Sequence, residues 1–371
     1  MVYRVIGVMS GSSLDGLDIC FAHLHEVSGK WNYEIKTAQC HPYSEKWIEK
    51  LQSAITLPAE EYMLLHAEYG RYIGKHINRF IEENGLQYQV QLIGSHGHTT
   101  FHNPRMRMTA QLGDGSSIAA VTGINTVSEL RSMDIALGGE GAPIVPIGEK
   151  LLLGDHSYFL NLGGIANLST HYSPENNGAI QAYDVCPANR VLNLIANSVG
   201  KEYDDKGEMA SRGNVDTDLL AEIDSLDYYS LPSPKSLAND FGTDIVYPMI
   251  KSAGLSVEDS LRTMVEHVVL QIKKGVRSEE RGVRSDEKRE TMLVTGGGAF
   301  NLFMIDRLRE VLKDKNLEVV VPERNLIEFK EALIMGLIAV LRWREESNVL
   351  ASVTGASRDS IGGAVYLGQQ V

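Results

Sequence analysis

Three short loops, rich in glycine and hydroxyl residues, follow apolar stretches that are typical of buried strands. Their sequences are MSGSSLDGLD over 9–18, NLGGIAN over 161–167 and TGGGAFN over 295–301. Because glycine has no side chain, backbone N–H groups in such loops can approach a phosphate closely. Each loop alone is also typical of an ordinary tight turn. Three of them, each after a strand, favour a site for the phosphates and adenosine of a nucleotide.

Acidic and basic side chains accompany these loops. Asp15 and Asp18 belong to the first loop, and carboxylate oxygens are ligands that Mg²⁺ prefers. Asp184 ends a predicted strand before the stiff segment VCPAN, a position that suits a general base and equally suits a cap of the following helix. His96 and Arg131 are further candidates, although a histidine alone is more often structural.

Two familiar nucleotide signatures are missing from the sequence. The first loop does not end in the Gly-Lys-Ser/Thr of a P-loop, and none of the three loops contains the GxGxxG of a dinucleotide site. The phosphate hypothesis therefore requires a different loop architecture.

The elements that must position these residues alternate between strands and helices, which indicates an α/β fold. Period and composition predict an edge strand or extended segment over 124–129, and strands over 3–9, 18–24, 31–40, 91–95, 158–163, 166–170, 180–184, 291–295, 317–321 and 364–367. Helices are predicted over 44–56, 59–84, 114–122, 190–199, 257–274 (with Ser256 as N-cap), 301–313 and 327–344. A strand, a glycine turn and a second strand occur near residue 11 and again near residue 163, as two similar halves would produce.

Length, net charge and cysteine spacing argue against several functional classes. The 371 residues suggest two domains, and the net charge of −13 argues against binding to nucleic acid or to anionic membranes. The three cysteines are far apart and form no CxxC pair, so we expect neither a disulfide framework nor a zinc site. The start of the sequence lacks a signal peptide, and we expect a cytoplasmic protein. The charged near-repeat over 275–288 predicts a solvated segment.

Taken together, the loops resemble those of the actin/hexokinase/heat-shock-70 superfamily and, within it, the anhydro-N-acetylmuramic acid kinase family. The segments that carry this resemblance occur in the family order: MSGSSLDGLD (9–18), GSHGHT (94–99), QLGDG (111–115), GGEGAP (138–143), LNLGGIANL (160–168), DVCPAN (184–189), PKS (234–236), TGGGAFN (295–301), EAL (331–333) and TGA (354–356). The chain departs from the family pattern where DVCPAN replaces DTGPGN, GHT replaces GQT and GGEGAP replaces GGQGAP.

The resemblance implies a two-lobed, actin-like fold of ribonuclease H-like α/β domains, with ATP and sugar in a cleft between them. We expect domain I to comprise 1–125 and 345–371, and domain II to comprise 126–344. A homodimer is compatible with the resemblance, although the sequence itself does not predict one.

The activity implied by the resemblance is an ATP-dependent kinase of peptidoglycan recycling. It opens the 1,6-anhydro ring of 1,6-anhydro-N-acetylmuramic acid with water and phosphorylates O6, giving N-acetylmuramic acid 6-phosphate and ADP. Two other functions stay open: another small-molecule kinase of the superfamily, and a nucleotide-binding homologue without catalysis.

The resemblance also implies roles for individual residues. Asp184 would be the catalytic base, and Arg131 would pair with the lactyl carboxylate or with a phosphate. ATP, its phosphates and Mg²⁺ would be held by Gly11, Ser12, Ser13, Leu14, Asp15, Gly16, Leu17, Asp18, Gly163, Gly164, Asn167, Gly296, Gly297, Gly298 and Asn301. The sugar would contact Ser13, His96, Arg131 and Glu331, and Mg²⁺ would be held by Asp15 and Asp18, directly or through water.

Overall fold

The chain forms two compact units, which are Met1–Gly154 with Phe329–Val371, and Asp155–Glu328. The computed structural model describes all residues except 12, 155, 172–178, 234, 239, 277–289 and 370–371, so the charged repeat lies almost entirely outside the described residues. The first unit is discontinuous, and its two parts end at Gly154 and begin again at Phe329, whereas we expected a domain I of 1–125 and 345–371. Among the described helices, none has the length and apolar character needed to cross a membrane.

The bounds of the regular elements follow the predicted pattern closely. In chain order the strands are β1 (Val2–Ser10), β2 (Gly16–Val27), β3 (Lys30–Pro42), β4 (Leu92–Ser95), β5 (His98–Asn103), β6 (Met108–Leu112), β7 (Thr126–Ser128), β8 (Tyr158–Leu162), β9 (Ile165–Thr170), β10 (Gln181–Pro187), β11 (Glu290–Thr295), β12 (Leu317–Val320) and β13 (Ala364–Tyr366). The helices are α1 (Glu45–Ser53), α2 (Ala59–Glu83), α3 (Gly115–Thr122), α4 (Ser132–Ala136), α5 (Pro146–Leu152), α6 (Asn189–Asn197), α7 (Thr217–Asp224), α8 (Tyr247–Ser252), α9 (Val257–Gly275), α10 (Leu302–Val311), α11 (Arg324–Trp343) and α12 (Ala351–Thr354).

The first unit is built on a sheet of strand order β13-β7-β4-β1-β2-β3. β1, β2 and β3 form an antiparallel meander, and β4 runs parallel to β1. β7 pairs with β4 on one side and β13 on the other, so the predicted edge position of this strand was wrong. This pairing also places β7 in the first unit rather than in the second, where the sequence-based boundary had put it.

The core of the first unit forms where apolar faces of the sheet meet helices. Ile6, Ile19 and Phe21 of the sheet pack with Ile73 and Phe80 of α2. On the other side, α11 approaches the sheet closely at two paired glycines, Gly7 and Gly94, where a Cβ would collide with the carbonyl oxygens of Ala332 and Met335. This close approach fixes the position of Glu331, one residue before Ala332.

The second unit repeats the plan of the first sheet. Its strand order is β10-β9-β8-β11-β12, with β8, β9 and β10 as an antiparallel meander and β11 parallel to β8. Its core includes Leu160 and Leu168 of the sheet with Val268 and Ile272 of α9. Ser256 is the N-cap of α9, as predicted, and its hydroxyl accepts from the N–H of Asp259 at 3.1 Å.

The two sheets have matching strand orders. This explains why the strand–turn–strand pattern near residue 11 recurs near residue 163. In each sheet the first glycine loop joins the first two strands of the meander, and a second loop follows the strand parallel to the first. That second loop contains His96 and Gly97 in the first unit and Gly296–Gly298 in the second. Because neighbouring parallel strands end at the same edge of a sheet, the two loops of each unit lie side by side.

Two segments for which no strand or helix was predicted contain regular structure. β5 and β6 form an antiparallel hairpin directly after β4. The glycine- and proline-rich stretch over 131–146 contains α4 and leads into α5, which has Pro146 in its first turn, where a missing N–H costs nothing. These elements were not predicted because they are short and because glycine and proline, which are typical of loops, occur within or beside them.

Candidate functional site

The first glycine loop joins β1 to β2 and is ordered by its own side chains. The hydroxyl of Ser13 donates to Oδ1 of Asp15 at 2.8 Å, and the N–H of Gly16 donates to the same oxygen at 3.0 Å. A Cβ at Gly16 would lie 2.5 Å from Sγ of Cys40, so packing requires that glycine. At Gly11 an added Cβ would lie 3.3 Å from Oγ of Ser13, a tight contact with a side chain of the same loop.

The two carboxylates proposed for Mg²⁺ belong to this hairpin. Asp15 is exposed in the loop, and Asp18 is half-buried in β2, opposite Met9 of β1. Two carboxylates of one glycine-containing hairpin fit Mg²⁺, which usually takes one or two carboxylates together with phosphate oxygens and water. Of the other predicted contacts, Leu17 is fully buried in the core, and Ser12 lies outside the described residues.

A buried hydrogen-bond chain supports the end of β1, just before the loop. The hydroxyl of Tyr43 donates to Oγ of Ser10 at 2.8 Å, and Oγ of Ser10 lies 3.1 Å from Nδ1 of His98. Ser10 therefore links the hydroxyl of Tyr43 to the imidazole of His98 at the end of β1. Tyr69 extends the chain through its hydroxyl, 2.6 Å from that of Tyr43. Burial lowers the pKa of His98 and raises the pKa of Tyr69 to about 12, consistent with an uncharged chain.

His96 and Arg131 contact each other in the first unit. Nε of Arg131 donates to Nε2 of His96 at 2.8 Å, so Nδ1 of His96 carries the proton and donates to the carbonyl of Gly97 at 2.8 Å. Burial, reinforced by Arg131, lowers the pKa of His96 to about 3. His96 is therefore neutral near pH 7 and positions Arg131 rather than exchanging protons itself.

Arg131 is half-buried and keeps its positive charge. Burial lowers the pKa of Arg131 to about 10, and the carboxylates of Glu331 and Asp134 oppose that shift. Nη1 of Arg131 also donates to the carbonyl of Gly141 at 2.8 Å. The structure thus brings three predicted sugar-contact residues, His96, Arg131 and Glu331, into one electrostatic group.

Asp134 is a buried residue of this region that the sequence analysis missed. Its carboxylate accepts from Oγ1 of Thr354 at 2.7 Å and from the N–H of Gly141 at 2.8 Å. It thereby ties GGEGAP to TGA, two segments that had been noted separately. The sequence did contain a signal, because Asp134 follows Arg131 by three residues. In a helix this spacing places two residues on the same side.

Asp184 lies in β10 of the second unit, at a β-bulge next to β9. One carboxylate oxygen accepts from the side-chain amide of Asn167, its cross-strand neighbour, and the other accepts from the N–H of Leu237 at 2.8 Å. Burial raises the pKa of Asp184, and these two donors oppose the rise. The result is an oriented, half-buried carboxylate, and it does not cap α6, for which Ala188 is the N-cap residue.

The departures in DVCPAN point into the core of the second unit. Val185, Cys186 and Ala188 are buried and belong to the hydrophobic cluster around α9. Burial strongly raises the pKa of the Cys186 thiol, so it stays protonated. These three side chains therefore belong to the core that supports β10.

The glycines of the two loops in the second unit differ in what requires them. Packing requires glycine at 298, because a Cβ there would lie 2.6 Å from Cβ of Leu162. At Gly296 the backbone also requires glycine, since φ is +80° and an added Cβ would lie 2.7 Å from Oδ1 of Asn161. Around Gly163, Gly164 and Gly297 an added Cβ would meet nothing nearer than 3.5 Å. Space at these three positions is what a bound phosphate or adenosine needs.

Both asparagines proposed as nucleotide contacts have structural hydrogen bonds. Asn167 donates to Asp184, and Oδ1 of Asn301 accepts from the N–H of Met304 at 3.0 Å as the N-cap of α10. Asn189, which the sequence analysis did not single out, donates to the carbonyl of Leu162 at 2.8 Å and holds the end of β8. The structure therefore brings together Asp184, Asn167 and the glycine loops in one unit, and the Gly11–Asp18 hairpin, His96, Arg131 and Glu331 in the other.

Residues 3–368 match the family described as anhydro-N-acetylmuramic acid kinase. Curated relatives with that name include proteins of Vibrio parahaemolyticus (30% identical, 97% of each chain), Haemophilus influenzae (31%, 97% of each) and Zymomonas mobilis (33%, 83% of this chain and 84% of the relative). Among solved structures, the activator of the 2-hydroxyisocaproyl-CoA dehydratase from Clostridium difficile with bound ADPNP matches with a TM-score of 0.42 at 14% identity, over 92% of this chain and 96% of that one.

Proposed function

Since this chain belongs to the anhydro-N-acetylmuramic acid kinase family, we propose that it uses ATP and water to convert 1,6-anhydro-N-acetylmuramic acid into N-acetylmuramic acid 6-phosphate and ADP. This reaction would serve peptidoglycan recycling. ATP is a cytoplasmic substrate, and a cytoplasmic location is part of the proposal.

The structure of the substrate requires an unusual order of bond formation and bond breaking. In the anhydro sugar O6 is bonded to C1, so no free hydroxyl is present at C6 to accept a phosphoryl group. Water adds to C1, the C1–O6 bond breaks, and O6 takes the γ-phosphoryl group as its bond to ADP breaks. One proton leaves the attacking water, and Asp184 is the group that we assign to accept it.

The environment of Asp184 is the observation that carries this assignment. A base must be ionised yet basic enough to take a proton, and burial makes Asp184 more basic than an exposed aspartate while two donors hold it ionised and oriented. The backbone of β10 adds rigidity, because the carbonyl of Asp184 accepts from the hydroxyl of Tyr228 at 2.7 Å and its N–H donates to the carbonyl of Lys235 at 3.0 Å. Positioning of this kind supplies much of the rate in phosphoryl transfer.

The open glycine positions support the binding of ATP. At Gly163, Gly164 and Gly297 neither packing nor a left-handed backbone requires glycine, and the absence of a side chain would let phosphates or adenosine come close to the backbone. Mg²⁺, held by Asp15 and Asp18, would neutralise the developing negative charge on those phosphates.

We assign the recognition of the sugar to the charged group of the first unit. Arg131 is cationic at neutral pH and is oriented by His96, so it can pair with the lactyl carboxylate or with a phosphate. Glu331 supplies a carboxylate that can accept from sugar hydroxyls, and Ser13 completes the proposed set.

The test measures ADP release with Mg²⁺–ATP, with and without the anhydro sugar, and identifies the product by mass. A product heavier than the substrate by one phosphate and one water would support the proposal. ADP release with another small-molecule acceptor but not with the anhydro sugar would favour another kinase of the superfamily. Nucleotide binding without turnover would favour a non-catalytic homologue.

Asp184→Asn provides the matched variant. We expect it to lose sugar-dependent ADP release by at least about 100-fold while retaining ATP affinity, because the amide cannot accept the proton from water. Turnover at the wild-type rate in this variant would remove Asp184 from its assigned role.

A further inference from the structure

Two histidines and a glutamate form a cluster near the turn that joins β2 to β3. His23 and His25 are two residues apart in β2, so they face the same side of the sheet, and Glu34 is the direct cross-strand partner of His23 in β3. One potential ligand atom of each side chain lies within 4.8 Å of the other two. The sequence analysis, which considered zinc only through cysteine spacing, could not detect a group formed across two strands.

The chemistry of this cluster is that of a transition-metal site. Imidazole nitrogen and carboxylate oxygen bind Zn²⁺ at about 2.0–2.2 Å, and three protein ligands with water in the fourth position make a common coordination shell. In addition, Nε2 of His23 is buried and has no hydrogen-bond partner among the described residues. A buried imidazole nitrogen without a partner is costly, and a metal ion would offset that cost.

We propose that His23, His25 and Glu34 bind one Zn²⁺ ion and that this ion cross-links β2 to β3. The site is separate from the phosphate hairpin. His23 is eight residues along β2 and its preceding loop from Asp15, which is roughly 26 Å at about 3.3 Å per residue. The Mg²⁺ and ATP of the proposed reaction therefore use different residues.

A lysine competes with the metal for the carboxylate. Nζ of Lys36 lies 2.6 Å from Oε1 of Glu34, and both side chains are exposed enough to rearrange. Arg4, the β1 neighbour of His23, adds a second positive charge. Zinc must therefore displace Lys36 from Glu34, and removal of that lysine should tighten binding, a result that loss of folding could not produce.

The experiment is a calorimetric titration of the full chain with ZnCl₂. The variants are His25→Asn, Glu34→Gln and Lys36→Met, with Asn32→Ala, opposite His25 on β3, as the matched control. We expect one Zn²⁺ per chain in the wild type and in the control, at least about tenfold weaker binding in His25→Asn and Glu34→Gln, and tighter binding in Lys36→Met. Equal affinity in the wild type and His25→Asn, or no tightening in Lys36→Met, would overturn the proposal.

Thermal unfolding gives a second readout that does not depend on the kinase reaction. Zinc that binds only the folded chain should raise the unfolding temperature of the wild type and leave that of His25→Asn unchanged. Sugar-dependent ADP release with Mg²⁺–ATP should be the same in His25→Asn and the wild type, so failure of the zinc site and failure of the proposed reaction would be distinguishable. An equal thermal shift in both proteins would place the zinc elsewhere and overturn the assignment.

Discussion

At the scale of single residues, Asp184 depends on a balance between burial and hydrogen bonding. Burial favours its neutral form, and the N–H of Leu237 and the amide of Asn167 favour its ionised form. Without those donors, a carboxyl group in this position would stay protonated to higher pH and would be a poorer base near neutrality. Asn167 is thus assigned to the tuning of the base rather than to a direct phosphate contact.

This balance predicts the pH dependence of an Asn167→Leu variant. Loss of the amide donor should raise the pKa of Asp184 further, so the acidic limb of the kcat/KM profile should move to higher pH. Kinetics between pH 5 and 9 would measure the shift, with Asn197→Ala on the exposed end of α6 as the control. An unchanged acidic limb in Asn167→Leu would mean that another group controls ionisation.

At the scale of elements, the glycine loops separate into positions fixed by the fold and positions open to a ligand. Gly298 is fixed because it packs against the end of β8, whereas at Gly163, in the turn between β8 and β9, an added Cβ would make only ordinary contacts at 3.5 Å. The same residue type therefore has two physical roles within neighbouring loops. A sequence pattern alone cannot distinguish them, because both roles select glycine.

Two alanine substitutions should separate these roles. Gly298→Ala should destabilise the chain by about 1–3 kcal/mol, because its Cβ would overlap Leu162, and urea unfolding would measure this loss. Gly163→Ala should change stability by no more than about 0.5 kcal/mol but weaken ATP binding, measured by calorimetry. Unchanged ATP affinity in Gly163→Ala would contradict the assignment of this turn to the phosphates.

At the scale of the whole molecule, the C-terminal segment completes the first unit. β13 pairs with β7, Thr354 bonds Asp134, and Nζ of Lys330 lies 3.0 Å from Oε1 of Glu149. The Lys330–Glu149 pair joins residues 181 positions apart, and each of its side chains is only 4% exposed. Removing one partner of a buried pair leaves the other charge buried and uncompensated. This reduces the free energy of unfolding far more than the loss of a surface pair does.

Lys330→Met should therefore reduce the free energy of unfolding by about 3–5 kcal/mol. Chemical denaturation would measure the loss, with the exposed Lys150→Met of α5 as the matched control, expected to change stability by no more than about 0.5 kcal/mol. Equal stability of the two variants would show that the buried pair contributes little.

Much of the fold was predictable because its signals are local. A β-branched apolar run predicted β1, and the cap at Ser256 predicted the start of α9, since these preferences depend on neighbouring residues. The order of the motifs along the chain also predicted the family, which the match over residues 3–368 confirmed. Loop positions and the candidate base follow from the same local information.

The partners of the functional residues were decided by the tertiary structure. The sequence does not reveal that Asn167 donates to Asp184, that Tyr43 and Ser10 support His98, or that His23 and Glu34 face each other. Strand register and helix packing create these contacts between residues separated by 11 to 88 positions, and no local preference encodes them. The sequence determined which groups are present, and packing decided which of them meet.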